Sequence, residues 1–326
     1  MIELLQNLLK IKSISPNDMG CFDVIEKELR ELGFNCERIN YLNVENLYAT
    51  FGNSGKLFCF LGHTDVVPTG PEEKWKYPPF SATIEGDILY GRGAADMKAS
   101  VAAFIESAKE FINSSSKINF RLGFLLTSNE EGTAKDGFID QIIKKMINDN
   151  EIIDFCLVGE PTSSKKVADC ARIGRRGSLG GHLKIYGKQG HIAYPEKVIN
   201  PILLSGDLIS NLKNKIWDNG NDAFDPTSFQ ISNISSGTGA HNVVPGELEL
   251  TFNFRFSPES SEESLKSEFE SMLNEQGLNY DLEWELNGLP YYTKDNFFIN
   301  IVSNSVKEVT NYRHITHTWS LSLIFS

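Results

Sequence analysis

The run LFCFLGHTD, residues 57–65, is an unbroken apolar stretch that stops at a glycine and then delivers a histidine and an aspartate two residues apart. Apolar runs of this length, closed by turn residues, read as strands buried on both faces. Three more have the same form: NLYATFG (46–52), INFRLGFLLT (118–127) and IIDFCLVG (152–159). Between them VAAFIESAKEF (101–111) has helical periodicity, and Leu5, Leu8, Leu9 and then Val24, Ile25, Leu29, Leu32 fall at helical spacings, with Gly33 as a C-cap. The first 160 residues or so therefore predict an α/β domain around a mixed or mostly parallel sheet.

After Arg176 the pattern changes. ELELTFNFRF (247–256) alternates polar and apolar, placing Leu248, Leu250, Phe252, Phe254 and Phe256 on one face, and Tyr280, Leu282, Trp284 and Leu286 repeat the alternation. With strands over 179–187 and 228–235 and helices over 198–217 and 260–275, the order is strand, helix, strand, strand, helix, strand. That is a ferredoxin-like α/β unit, spanning 176–288 and interrupting the first domain. The expected organisation is 1–175 and 289–326 as two parts of one domain, with 176–288 inserted.

Composition narrows the function. The chain has 326 residues, 31 Lys+Arg against 43 Asp+Glu, and a net charge of -12, which argues against a nucleic-acid or anionic-membrane partner. Five cysteines with no CxxC pair point to a reducing compartment, with Cys59 and Cys156 as small core residues inside apolar runs. MIELLQNLLK reads as an amphipathic helix and not as a signal peptide, so a cytoplasmic location is expected.

Chemistry collects at the strand ends. In open α/β sheets ligands bind at the carboxyl ends of strands. One strand runs into His63 and Asp65, another into Glu130 and Glu131, a third into Glu160, and Asp96 precedes a helix in GRGAADMK (91–98). Each alone has an ordinary structural reading: a satisfied histidine, a helix N-cap, a solvated acidic pair, a loop acid. Together, a histidine and several carboxylates converging without a cation would repel one another, and a divalent metal removes that cost. Imidazole and carboxylate donors without thiolate suit zinc or a similar ion, and a shared carboxylate suits a two-metal hydrolase. In the His63–Asp65 spacing the aspartate can accept the ring's other N–H and fix the tautomer.

LGHTDVVPTG (61–70), LYGRGAADMKAS (89–100), TSNEEGTAKDG (127–137) and VGEPT (158–162) resemble the two-zinc aminoacylase and carboxypeptidase family. RRGSLGG (175–181), GKQGHIAYP (187–195), SFQISNISSGTGAHNVVPG (228–246) and FNFRFSPES (252–260) resemble its bacterial desuccinylase branch, and the match runs in order over about residues 1–310. The resemblance implies a metallopeptidase-like catalytic domain interrupted by a lid and dimerisation domain, two Zn2+ per subunit with Co2+ as a substitute, and a homodimer. It implies that His63, Asp96 and Glu160 hold one zinc and that Asp96 bridges to a second held by Glu131. Glu130 would be general base and acid, Asp65 the partner of His63, and His191 a lid histidine that steadies the oxyanion in the other subunit's site. A cis peptide is implied between Asp96 and Met97.

The implied substrate is a small dicarboxylate, N-succinyl-LL-2,6-diaminopimelate, cleaved at its amide, with a related deacylase such as acetylornithine deacetylase as the alternative. Arg176 and Arg255 would bind its carboxylates through guanidinium forks, with Ser178, Tyr194 and Asn242 lining the same cleft. The resemblance ends near residue 310: the family's GGTSD-type segment and the histidine it brings to the second zinc are replaced by TNYRHITHTWSLSLIFS (310–326). The expectation is an altered C-terminal segment and a second metal site that lacks its last ligand, with impaired activity as a further reading. His314 and His317 are weak substitutes for that ligand.

Overall fold

The computed structural model describes residues 1–114, 118–132, 139–294, 296–311 and 315–317. Two compact units divide them, Met1–Thr162 and the part from Ser163 onward.

In the first unit, helices α1 (Ile2–Lys10) and α2 (Cys21–Glu31) precede strands β1 (Asn35–Arg38), β2 (Asn46–Phe51) and β3 (Leu57–His63). Helix α3 (Ala99–Ser114), β4 (Arg121–Thr127), α4 (Ile139–Asn148) and β5 (Phe155–Val158) complete it. The sheet order is β1-β2-β4-β3-β5, with β3 parallel to β4 and β5 and the other pairs antiparallel, so the sheet is mixed. Alternation along the strands sends Phe60, Phe124 and Leu126 to a core shared with α1, α2 and α3, and Cys59, Leu61 and Leu125 to a second core under α4. Both faces are covered, which is why the strands read as continuous apolar runs. Cys59 is buried, whereas Cys156 is exposed, because β5 forms an edge of this sheet and its neighbour lies on one side only. Strand β1 and a short hairpin (Thr83–Glu85 with Ile88–Tyr90) carry too little apolar periodicity to stand out in the sequence, whereas α4 is amphipathic, with Ile139, Ile142 and Met146 buried at helical spacing.

The second unit contains β6 (Gly177–Tyr186), α5 (Pro201–Asn214), β7 (Ser228–Ser236), β8 (Glu247–Phe256), α6 (Glu262–Glu275) and β9 (Asn279–Gly288). Its antiparallel sheet has the order β7-β8-β6-β9, the ferredoxin-like arrangement. Leu248, Leu250, Phe252, Phe254 and Phe256 all point into one core with Leu208, Leu212, Leu265, Phe269 and Leu273 from the two helices. Tyr280, Leu282 and Trp284 pack against that core, but Leu286 is 40% exposed because β9 runs past the covering helix at an edge of the sheet. Helix α7 (Asn296–Thr310) comes next, and a short strand, Ile315–His317, pairs in parallel with Cys170–Arg172. The backbone of Ile315–His317 is extended, and His314 lies outside the described residues.

Candidate metal centre

Strands β3, β4 and β5 are parallel, so their carboxyl ends lie on one side of the first unit, and the residues at and just beyond those ends supply the candidate ligands. His63 is the last residue of β3 and is register partner to Thr127, the last of β4. Glu130 and Glu131 sit in the turn after β4, and Glu160 comes two residues after β5. Asp96 lies in the turn Ala94–Lys98 that leads into α3, and the Asp96–Met97 peptide is cis. Met97 is buried, and the main-chain N–H of His63 points at its sulfur at 3.4 Å. Gly62 and Gly159 are glycines because a Cβ at either would meet the Met97 Cε, at 2.7 and 2.9 Å.

The imidazole of His63 is 1% exposed. Its Nε2 lies 3.1 Å from Asp96 Oδ1, 3.3 Å from Glu160 Oε1 and 4.0 Å from Glu130 Oε2. Among the described residues two sets of donors lie mutually within 4.8 Å: His63, Asp96, Glu131 and His63, Glu130, Glu160. All five acidic and imidazole donors named for metal binding and proton transfer are thus brought together, and His63 belongs to both sets.

Asp65 differs from its expected mode. The ring Nδ1 of His63 is 3.0 Å from the main-chain oxygen of Asp65, while the carboxylate Oδ1 stands off at 3.5 Å. The fully buried carboxylate instead accepts the main-chain N–H of Glu130 at 3.0 Å and of Glu131 at 3.1 Å, plus the hydroxyl of Ser15. Sequence spacing placed Asp65 beside His63 but gave no sign that it also grips the turn carrying both glutamates.

The electrostatics are set by burial and crowding. Burial opposes a charged His63, yet Asp65, Asp96 and Glu160 outweigh it and hold the imidazole well above its ordinary range. Burial, with Glu160, Glu131 and Asp65 adding to it against the pull of His63, pushes the Glu130 carboxyl up to about 8. Burial and Asp96 raise Glu131, whereas contact with His63 lowers Asp96 despite burial. Among the described residues no lysine or arginine pairs with Glu130, Glu131 or Glu160. Arg92 acts on Asp96 through its charge, but among the described residues no ion pair joins the two; a buried imidazole amid these four carboxylates is the donor set a divalent cation fits.

The remaining candidates lie in the second unit. His191, Tyr194 and Asn242 form one group: Asn242 Nδ2 is 3.4 Å from His191 Nε2, the Ala193 N–H donates to His191 Nδ1 at 3.1 Å, and the Tyr194 ring centre is 5.9 Å from the imidazole. Ser178 is register partner to Arg255 and donates its hydroxyl to Asn287 Oδ1 at 3.2 Å. Burial, and to a lesser degree the charge of Arg176, work against a positive charge at Arg255. Among the described residues neither arginine pairs with a carboxylate.

Comparison with known proteins puts a family to this arrangement. The chain is 50% identical over 309 residues to the succinyl-diaminopimelate desuccinylase of Hydrogenovibrio crunogenus, covering 94% of this chain and 82% of the relative. The chain belongs to the succinyl-diaminopimelate desuccinylase family. A second family member, from Methylobacillus flagellatus, is 48% identical over 307 residues with the same two coverages. The model of the peptidase dimerisation domain matches residues 173–281, which takes in the strands and helices of the ferredoxin-like sheet up to β9. The fold is also that of an M20 family metallo-carboxypeptidase from Sulfolobus solfataricus, with a TM-score of 0.76 at 20% identity, covering 98% of this chain and 85% of that one. The desuccinylase family thus joins the mixed-sheet catalytic domain and the inserted dimerisation domain expected from the sequence.

Proposed function

We propose that this chain is a metal-dependent amidohydrolase that cleaves N-succinyl-LL-2,6-diaminopimelate to succinate and LL-2,6-diaminopimelate, a step of lysine and diaminopimelate formation. The observation that carries this reading is the convergence of Asp96, Glu160 and Glu130 on one buried imidazole nitrogen, in a chain half identical to desuccinylases. Two Zn2+ ions, one held by His63, Asp96 and Glu160 and the other by Asp96 and Glu131 without a C-terminal histidine, would supply Lewis acidity toward water and the amide carbonyl; the donor sets within mutual reach divide differently, His63 with Asp96 and Glu131, and His63 with Glu130 and Glu160.

Glu130 takes a proton from the attacking water and returns it to the departing amine; its carboxylate lies within the same donor cluster, 4.0 Å from His63 Nε2. Asp65 keeps the His63 ring and the Glu130 turn in register. His191 steadies the oxyanion in the site of the other subunit of the homodimer. Arg176 and Arg255, without a carboxylate partner among the described residues, take the substrate's carboxylates beside Ser178, which faces Arg255 across β6 and β8; Tyr194 and Asn242, grouped with His191, belong to the opposite end of that sheet and take part from there.

Residues 176–288 serve as lid and dimerisation domain. The homodimer reading is supported by the family match over 173–281 and by apolar side chains left outside on α5, Leu203 at 75% and Ile202 at 45% exposure. All five cysteines are free, which fits the cytoplasm.

The test is succinate release from the succinyl substrate by the Zn2+-loaded protein, run beside acetate release from N-acetylornithine. Glu130→Gln is expected to lower turnover by at least about 100-fold, the scale of general acid–base catalysis, with Zn2+ content unchanged. Near-normal turnover in that variant overturns the assignment of the base, and faster acetate release overturns the acyl specificity.

A further inference from the structure

One segment that carries no metal-binding residue type at its centre touches both loops that do. Residues 13–18, SISPND, connect α1 to α2. Val66 donates its N–H to Ser13 O at 2.9 Å and Ser15 donates its N–H back to Val66 O at 3.2 Å, so the segment is laced to the loop after His63. On its other side Pro16 O accepts the hydroxyl of Ser128 at 2.7 Å, and that hydroxyl in turn accepts the Glu45 N–H at 3.0 Å. Ser15 therefore sits between the loop bearing His63 and Asp65 and the turn bearing Glu130 and Glu131. Its own hydroxyl is spent on the Asp65 carboxylate.

We infer that Ser15 is a positioning residue of the metal centre, acting through Asp65 on both His63 and the Glu130–Glu131 turn; this rests on the metal-centre reading above. Asp65 is wholly buried, and among the described residues no lysine or arginine pairs with it. What holds its carboxylate is two main-chain N–H groups on the acidic turn and one side-chain hydroxyl, that of Ser15. Oδ2 shares Ser15 and Glu131; Oδ1 shares Glu130 and the approach of His63 Nδ1 at 3.5 Å. Without the hydroxyl, Oδ2 keeps a single donor, and rotation of the carboxylate would loosen Oδ1 from Glu130 and change its distance to the ring together. Partners of this outer kind set ligand orientation, and losing one costs about 10–100-fold in metal affinity or activity.

The experiment compares Ser15→Ala, Ser15→Thr and Ser13→Ala in the full chain. Ser13 is the stability control, since its buried hydroxyl donates to the main-chain oxygen of Thr64 at 2.7 Å and lies by the Cys21 thiol, with no hydrogen bond to a carboxylate of the centre among the described residues. Readouts are Zn2+ affinity by competition with a chromophoric chelator, the melting midpoint, and kcat and KM on the succinyl substrate. Ser15→Ala is expected to weaken Zn2+ binding and lower kcat by about tenfold or more with KM within about twofold, and Ser15→Thr to restore most of both. Ser13→Ala is expected to lower the midpoint as much as Ser15→Ala while Zn2+ affinity stays near the parent's. Ser15→Ala with Zn2+ affinity and kcat near the parent's overturns the inference, as does a loss that Thr does not restore and Ser13→Ala reproduces. A parent protein that binds Zn2+ but hydrolyses neither amide overturns the proposed activity alone, and the Zn2+ arm still decides the role of Ser15.

Discussion

Lys98 lies fully buried two residues after Asp96, and its replacement by methionine separates the value of a buried ammonium from that of its stem. The Nζ donates to Leu8 O at 2.8 Å and Ile11 O at 3.1 Å, at the carboxyl end of α1, where the helix presents its negative pole. Two hydrogen bonds from a charged donor are worth about 3–6 kcal/mol together before opposing terms. Two facts reduce that figure. Both carbonyls keep another partner, Ile11 N at 3.2 Å for Leu8 O and Ser13 N at 3.0 Å for Ile11 O, so neither is orphaned. The desolvation of a buried ammonium, which lowers the Lys98 pKa, is also relieved by methionine and amounts to several kcal/mol. The net expectation for Lys98→Met is a loss of about 2 kcal/mol, or about 4–8 °C in the melting midpoint of a unit of this size. Lys98→Ala should cost a further ~2 kcal/mol, because it empties the space of the stem. Differential scanning calorimetry of the three proteins measures this. A methionine variant as stable as the parent or more so would overturn the expectation, by making the ammonium a net liability held there for another purpose.

Two glycines and a half-buried aspartate give further outcomes. Gly159→Ala would put a Cβ 2.6 Å from Ser100 Cβ and 2.9 Å from the Phe60 ring, so the chain must shift just before Glu160; we expect a loss of about 1–3 kcal/mol with weakened Zn2+ binding by titration. Gly206→Ala, in α5 with nothing within 4 Å of the added carbon, should instead raise stability by about 0.5–1 kcal/mol, read from the shift in denaturation midpoint. Asp218 is a pH-dependent tie: burial alone would raise its pKa, but Ser260 Oγ at 2.6 Å, the Thr227 hydroxyl and N–H, and Gly220 N at 2.8 Å hold it down at about 2 against an ordinary 3.8. Because the unfolded chain binds the proton first, this stability is present above 3.8 and is lost as pH falls toward 2. Asp218→Asn should therefore lower stability at neutral pH by about 1 kcal/mol after allowance for solvent screening, with the gap to the parent closing in acid. A gap that stays constant from pH 7 to pH 2 would count against the assignment.

Much of the molecule was legible along the chain. Strands β3 and β4 are covered on both faces, so each had to be written as an apolar run; β5 is a half-exposed edge strand written the same way, and the residues after all three runs emerge at a carboxyl end. That local rule is enough to bring His63, Glu130, Glu131 and Glu160 to one side, and the alternation of residues 247–256 is enough to give β8 its buried face. Edges escape such rules: Leu286 and Cys156 sit in apolar patterns yet face solvent, because covering ends where a sheet ends, and no local pattern says where that is.

The way the centre is held was not legible in this sense. Ser15 and Asp65 are 50 residues apart, Asp65 and the Glu130 N–H are 65 apart, and Lys98 and Leu8 O are 90 apart. Serine and lysine have no periodicity that marks them as buried partners, and a hydroxyl or ammonium becomes part of a site only when folding brings a desolvated acceptor to it. Which chemical groups arrive at the strand ends is a property of the amino-acid order, since it depends on residue type and burial pattern. Their orientation is a property of the folded chain, since a buried carboxylate takes its direction from whichever donors the rest of the molecule sets around it.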